Sequence, residues 1–233
     1  DPWFEERGPK CVLMSLIDDA SSTVYAKFYE YEGTLPALDA LTGYIQKYGI
    51  PVALYTDLHQ TYHINNKTIS VQDQLTNNAP LTKLEEAVAQ LGITITLAYS
   101  PQAKGRVERF FQTFQDRLKS ELRLHKINNI KDANKFLNSY LPIFNKKFSK
   151  PDLPHGDIHK PALPTSTLKK ILALNHSCSV YKDFTIRHNN HIFQITEPTI
   201  QKTVILSHTT NGKTYIKEPK GKLMKFKLLK IVP

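Results

Sequence analysis

Cysteine is scarce. Only Cys11 and Cys178 occur in 233 residues, far apart in the chain, so no disulfide framework is written into the sequence. The nine histidines stand without paired-cysteine spacing, which argues against a zinc site. No apolar stretch approaches the roughly 18 residues that a membrane span needs. No signal-peptide pattern opens the chain. There is no internal repeat and no low-complexity segment, and a reduced, cytoplasmic setting without membrane contact is the expectation. Acids are also few, 21 against 31 Lys and Arg, for a net charge of +10. Such an excess suits a polyanionic partner, because cations displace counterions from phosphates, although a basic surface can also serve solubility alone.

The charge is unevenly placed. From Asn175 onward ten Lys or Arg face Asp183, Glu197 and Glu218, a net of +7. Periodicity divides the chain into a mixed region at 1–125, a helical extension at 126–149, a Pro-rich linker at 150–174 and a basic tail at 175–233. In the first region, strand-like runs at 11–17 and 23–29 flank a polar turn and predict a hairpin. A helix over 35–48, a strand near Pro51, a helix over 81–91, a strand over 93–98 and a long helix over 102–124 follow. The loop from Leu58 to Pro80 is polar and without period, as in a segment that closes over substrate or a plain surface insertion. The tail has short strands separated by Asn189-Asn190, Asn211-Gly212 and Lys220-Gly221, a pattern that predicts a small antiparallel barrel or sandwich.

The densest stretch is Ser100-Pro101-Gln102-Ala103-Lys104-Gly105-Arg106-Val107-Glu108-Arg109, one acid among cations at the start of a helix. With Val107, Phe110, Phe111, Phe114, Leu118 and Leu122 on the apolar face, Glu108 falls at its edge, flanked by Lys104, Gln115 and Lys119. Such a Glu can simply pair with Lys104 or Arg109 in solvent. Upstream, the short strand around Pro51 ends in Tyr55-Thr56-Asp57, an acid where the apolar residues stop; Asp57 can cap a turn or overlook a binding crevice. Two acids so placed supply the oxygen ligands that hard divalent ions require.

Together Tyr55-Thr56-Asp57, Leu91-Gly92-Ile93 and the Ser100 to Arg109 run resemble the integrase catalytic core of bacterial insertion-sequence transposases, members of the retroviral integrase superfamily with an Asp, Asp, Glu triad. Trp3-Phe4-Glu5, Arg7-Gly8-Pro9-Lys10-Cys11, Ile17-Asp18-Asp19-Ala20-Ser21 and the stretch from Phe144-Asn145-Lys146-Lys147-Phe148 to His159-Lys160-Pro161 extend the likeness, which together with a tail domain beyond them covers nearly the whole chain. The resemblance implies an RNase H-like core followed by a small all-β SH3-like barrel. It also implies metal-dependent cleavage of DNA ends and strand transfer by a polynucleotidyl transferase. Asp57 and Glu108 are then catalytic metal ligands for two Mg2+ ions, with Mn2+ as an alternative. The partners implied are double-stranded DNA, as transposon ends and target, and further copies of the chain on that DNA, in a nucleoid-associated bacterial setting.

The first acid of the triad is a departure from the family pattern. It belongs on a central strand before the hairpin, and here only ten residues precede Cys11. Either Asp1 is that acid after a shortened loop, or the chain begins after it and the first strand is missing. Lys104, Arg106, Arg109 and Lys119 are candidate phosphate contacts in the core. Arg187, Lys213, Lys217, Lys222 and Lys225, with Tyr181 and Tyr215, are candidates in the tail, where aromatics can equally be packing residues. An incomplete triad leaves a second reading open, a non-catalytic DNA-binding remnant of a transposase.

Overall fold

The computed structural model describes residues 2–56, 82–97, 101–149 and 156–231, with backbone alone for 97, 101–107, 230 and 231. Asp1, Asp57 and the loop from Leu58 to Pro80 lie outside the described residues. The fold is mixed α/β. The chain divides into two compact units, Asp1–Ile171 and Leu172–Pro233.

In the first unit β1 (Val12–Ile17) and β2 (Val24–Tyr29) form an antiparallel hairpin in which Ile17 pairs with Val24 and Val12 with Tyr29. The Asp18 carboxylate accepts from the Ser21 amide at 2.9 Å and from the Ser21 hydroxyl, closing the turn as an Asx motif. Alternation then separates two faces. Val24, Ala26 and Phe28 point into a core with Trp3, Phe4, Phe114, Leu118, Leu122, Leu137 and Phe144. Phe4, Phe28, Phe114, Leu118 and Leu122 are fully buried, each side chain worth about 1.5–3 kcal/mol of burial. Tyr25, Lys27 and Tyr29 occupy the opposite face, beneath α1 (Thr34–Tyr48). There Lys27 and Tyr29 both donate to Asp39 of α1, at 2.5 and 2.7 Å.

The core helices are α3 (Pro101–Leu124) and α4 (Ile130–Phe148); before them comes the short α2 (Lys83–Ala89), opened by a Thr82/Glu85 capping box. Phe110, Phe114, Phe136, Tyr140, Phe144 and Phe148 interlock along α3 and α4, with the Phe114 and Phe144 centroids 4.8 Å apart. Two asparagines attach α4 to the outer edge of β2. Asn145 donates to the Val24 carbonyl at 2.9 Å and accepts from the Val24 amide at 3.0 Å. Asn134 does the same at Phe28, at 3.0 and 2.8 Å. Eleven residues are close to three helical turns, about 16 Å, and Val24 to Phe28 spans about 14 Å of strand, so the amides meet alternate edge groups of β2.

A second, parallel pair joins β3 (Ala53–Thr56) to β4 (Thr94–Leu97), with Thr56 opposite Leu97. Among the described residues this pair and the hairpin are separate two-stranded sheets. The expected Pro-rich linker is not a free spacer throughout. Ile50 and Lys160 exchange backbone hydrogen bonds at 2.8 and 2.9 Å, His159 meets the Tyr44 hydroxyl at 2.8 Å, and α5 (Thr165–Ile171) buries Leu168, all within the first unit. Proline removes amide donors, but it left Ile158, His159 and Lys160 free to pair.

The second unit has a four-stranded antiparallel sheet in the order β10 (Leu223–Met224), β9 (Thr214–Lys217), β8 (Thr203–Thr209), β5 (Ala173–Ser179). A three-stranded sheet follows the order β11 (Phe226–Ile231), β7 (His191–Ile195), β6 (Thr185–His188). Cys178, Ile186, Phe193, Ile195, Val204, Leu206, Ile216 and Met224 form one core between them. Among the described residues the sheets do not close into the expected SH3-like barrel; β10 and β11, separated by Lys225 alone, belong to different sheets. Asn189 and Asn190 both have positive φ, 45° and 62°, as a two-residue type I′ hairpin turn requires.

Candidate functional site

Parallel pairing puts the ends of β3 and β4 at the same edge of their sheet. The next residue after Thr56 is Asp57, and α3 starts four positions after Leu97. The topology therefore brings the sequence position of one candidate acid and the start of the helix carrying the other toward one sheet edge. Carboxyl ends of parallel strands are where α/β sheets place ligands. Tyr55 is 65% exposed on β3, and the Thr56 hydroxyl is buried without a hydrogen-bond partner among the described residues.

Glu108 is the eighth residue of α3, roughly 10 Å along it from Pro101, and it is exposed. Arg109 beside it is exposed as well. Phe110 and Phe114, two and six residues further on, lock the helix against Phe144, so the acid projects from a packed scaffold. Its partner acids, Asp57 and Asp1, fall outside the described residues, as do the side chains of Lys104 and Arg106. Among the described residues no group of three or more His, Cys, Asp or Glu is placed to hold a metal ion. That covers Glu108 without its two sequence-predicted companions. An exposed carboxylate on a rigid helix suits a hard divalent ion, which prefers oxygen ligands.

Lys119, about three turns past Glu108, lies with its ammonium 5.4 Å from the Trp3 ring centroid, a cation–π contact. Trp3 in turn meets Phe28 edge-on at 5.4 Å. The Trp3-Phe4 and Arg7-Gly8 motifs thus anchor the start of the chain over α3. Glu5 receives Arg123 at 2.8 and 3.0 Å, and Arg7 donates to the Ile127 carbonyl at 3.2 Å. A Cβ on Gly8 would stand 1.9 Å from the Asn128 carbonyl oxygen, so only glycine allows that approach.

In the second unit the candidate cations do not gather on one face. Lys217 alternates with the buried Ile216 on β9, which puts it on the outer surface of the four-stranded sheet with Tyr215. Burial depresses the Lys217 pKa. Arg187 alternates with the buried Ile186 on β6 and so lies on the outer surface of the other sheet, its guanidinium 5.3 Å from the Tyr181 ring. Register adds Lys227, opposite Gln194 on β7, to that second surface. Lys213 and Lys222 are exposed at strand ends, and Lys225 approaches Glu197 at 3.6 Å. Sequence periodicity could have sorted these faces, since Ile186 and Ile216 mark the inward positions. The charge count alone could not.

No family model matches the chain. Two curated proteins are similar to it. One is y4bF of Sinorhizobium fredii (strain NBRC 101917 / NGR234), which carries a transposase name and is 36% identical over 160 residues, 68% of this chain and 34% of its own length. The other is the transposase for insertion sequence IS1202 of Streptococcus pneumoniae, 37% identical over 150 residues, 63% of this chain and 30% of its own. The chain thus spans about a third of the length of these relatives. Among solved structures, one chain of the simian T-cell lymphotropic virus intasome in complex with PP2A regulatory subunit B56 gamma aligns with 94% of this chain and 76% of its own. The TM-score is 0.42 and the identity 16%.

Proposed function

We propose that this chain, a homologue of two bacterial transposases over about two thirds of its length, carries the polynucleotidyl-transferase centre of a DDE transposase with an RNase H-like core. The single observation behind the reading is the parallel β3–β4 pair with an acid following one strand in sequence and an acid-bearing helix following the other. Asp57 and Glu108 would hold Mg2+, with Mn2+ as an alternative; the ions supply activation of a hydroxyl nucleophile and charge neutralisation on the scissile phosphate. Glu108 contributes a fixed negative charge on a helix held by aromatic packing. Lys104, Arg106 and Arg109 bind and orient phosphates near it, positioning DNA without reading its bases. The second unit adds sequence-tolerant backbone contacts from one of its two outer faces, Arg187 standing on one and Lys217 on the other, with Lys213, Lys222 and Lys225 as further candidates. Holding two transposon ends at once calls for more than one copy of the chain.

The sheet edges support this reading. Asn134 and Asn145 occupy the backbone groups of Val24 and Phe28, so the hairpin's outer side at β2 is closed. Because Val24 and Phe28 turn their groups away from β1, the pairing parity aims those of Leu13, Ser15 and Ile17 away from β2. A strand carrying the first acid, which the RNase H-like reading requires, would pair at that β1 edge.

Strand transfer on labelled DNA in Mg2+ tests the proposal. Glu108→Gln keeps the shape and removes the charge, so joining should fall by several orders of magnitude while DNA binding persists. Full joining by the Gln variant would overturn the catalytic role, and DNA binding without any joining by the wild type would favour the remnant.

A further inference from the structure

Four histidines line one end of the second unit's interior, one from each of four strands. On β5, His176 alternates with the buried Cys178 and pairs across with Leu206, both core residues. On β8, His208 lies two positions beyond Leu206 and faces Thr214 of β9, whose hydroxyl is 3.0 Å from its Nδ1. On the other sheet His188 follows Ile186 by two, and His191, directly opposite His188, stacks on Phe193. All four positions are therefore core-facing. The His176 and His188 rings bridge the two sheets with centroids 4.1 Å apart, and His208 lies 6.1 and 5.9 Å from them.

This is a poor place for charge. The His188 Nε2 is buried without a hydrogen-bond partner among the described residues, as is the Thr210 hydroxyl. Burial lowers the pKa of both His188 and His208. The charges acting on them are other imidazoles, His191 on His188, and His188 with His191 on His208. The other residues that strand register places opposite them, Leu174, Leu206, Thr214 and Ile231, and Cys178 two positions along β5 from His176, offer no carboxylate. Nor are the rings arranged as metal ligands, since no such group occurs among the described residues.

We infer that this histidine-lined end is a proton-responsive latch, holding the two sheets together while its imidazoles are neutral and loosening when they are protonated. The sign follows from the depressed values. A His whose folded pKa lies below its unfolded value of about 6.5 contributes stability that is complete above that pH and is lost as pH falls through the folded value. Mutual repulsion at ring distances of 4–6 Å is part of that depression.

Hydrogen exchange of the full chain at pH 7.5 and 5.0, corrected for intrinsic rates, tests it. Protection in β5 and β8 should fall at pH 5.0 by roughly tenfold relative to the β1–β2 hairpin in the same sample. In His188→Gln with His208→Gln the difference between the two units should disappear. Should that variant fail to fold, NMR titration of the wild-type imidazoles decides, with His188 and His208 expected to titrate together with the loss of β5 and β8 signals. Equal protection at both pH values, or imidazoles that titrate with the sheets intact, would overturn the latch. So would stoichiometric Zn2+ binding at pH 7.5 that abolishes the pH dependence.

Discussion

Asn145 completes the edge of β2 as a neighbouring strand would, its one side-chain amide serving both the N–H and the C=O of Val24 in a site where both residues are buried. An edge strand normally invites pairing with another chain, and a helix that satisfies its groups removes the invitation.

Asn145→Leu is accordingly expected to destabilise the first unit by about 2–4 kcal/mol, since two buried backbone groups lose their partners. Asn134→Leu should cost less, because that site is only half-buried. Thermal unfolding measures both. Association of the variants, read by light scattering, would show the exposed β2 edge at work. Loss of less than about 0.5 kcal/mol for Asn145→Leu would mean the amide is not what holds α4 to the strand.

Gly43 in α1 lies under the Tyr25 ring, so closely that a Cβ there would fall 1.9 Å from the phenolic oxygen and 2.6 Å from Cζ. Gly43→Ala should therefore destabilise by about 1–3 kcal/mol despite the higher helix propensity of alanine. Tyr25→Ala in the same chain should recover part of the loss that the two single changes would sum to. A double-mutant cycle by urea unfolding reads this coupling, and strict additivity would contradict the contact.

The element types were legible because the hydrophobic period changes cleanly, from two along 24–29 to between three and four along 107–122. The Asn189-Asn190 turn was legible because two consecutive positive φ angles favour those residues. The roles of Asn134 and Asn145 were not, since a side chain that serves a strand over a hundred residues away leaves no local pattern. Docking of the Pro-rich stretch was hidden for the same reason, as the Ile50–Lys160 bridge is purely backbone. For the candidate site, sequence supplied the acids and the fold supplied the shared edge of β3 and β4.

A fragment starting at Leu172 should bind duplex DNA weakly, with little sequence preference and an affinity that falls steeply between 50 and 200 mM salt, as expected from counterion release. A fragment starting at Asn175 cuts the β5 pairs Ala173–Thr209 and Leu174–His208 and should be less stable. Because Arg187 and Lys217 lie on opposite outer faces, a duplex held on one face should lose affinity on reversal of only one of them. Charge reversal Arg187→Glu and Lys217→Glu, titrated separately, identifies the face used. Equal loss from both would contradict a single binding face.

The central claim is that Asp57 and Glu108 share divalent metal ions at the edge where β3 and β4 end. A crystal structure of the chain with Mn2+ and a short DNA end measures it directly through anomalous scattering. The account predicts metal peaks within about 2.2 Å of oxygens from both residues, with the two carboxylates about 4–7 Å apart. Carboxylates separated by more than roughly 12 Å in that DNA complex, with the metal held elsewhere or by neither residue, would contradict it.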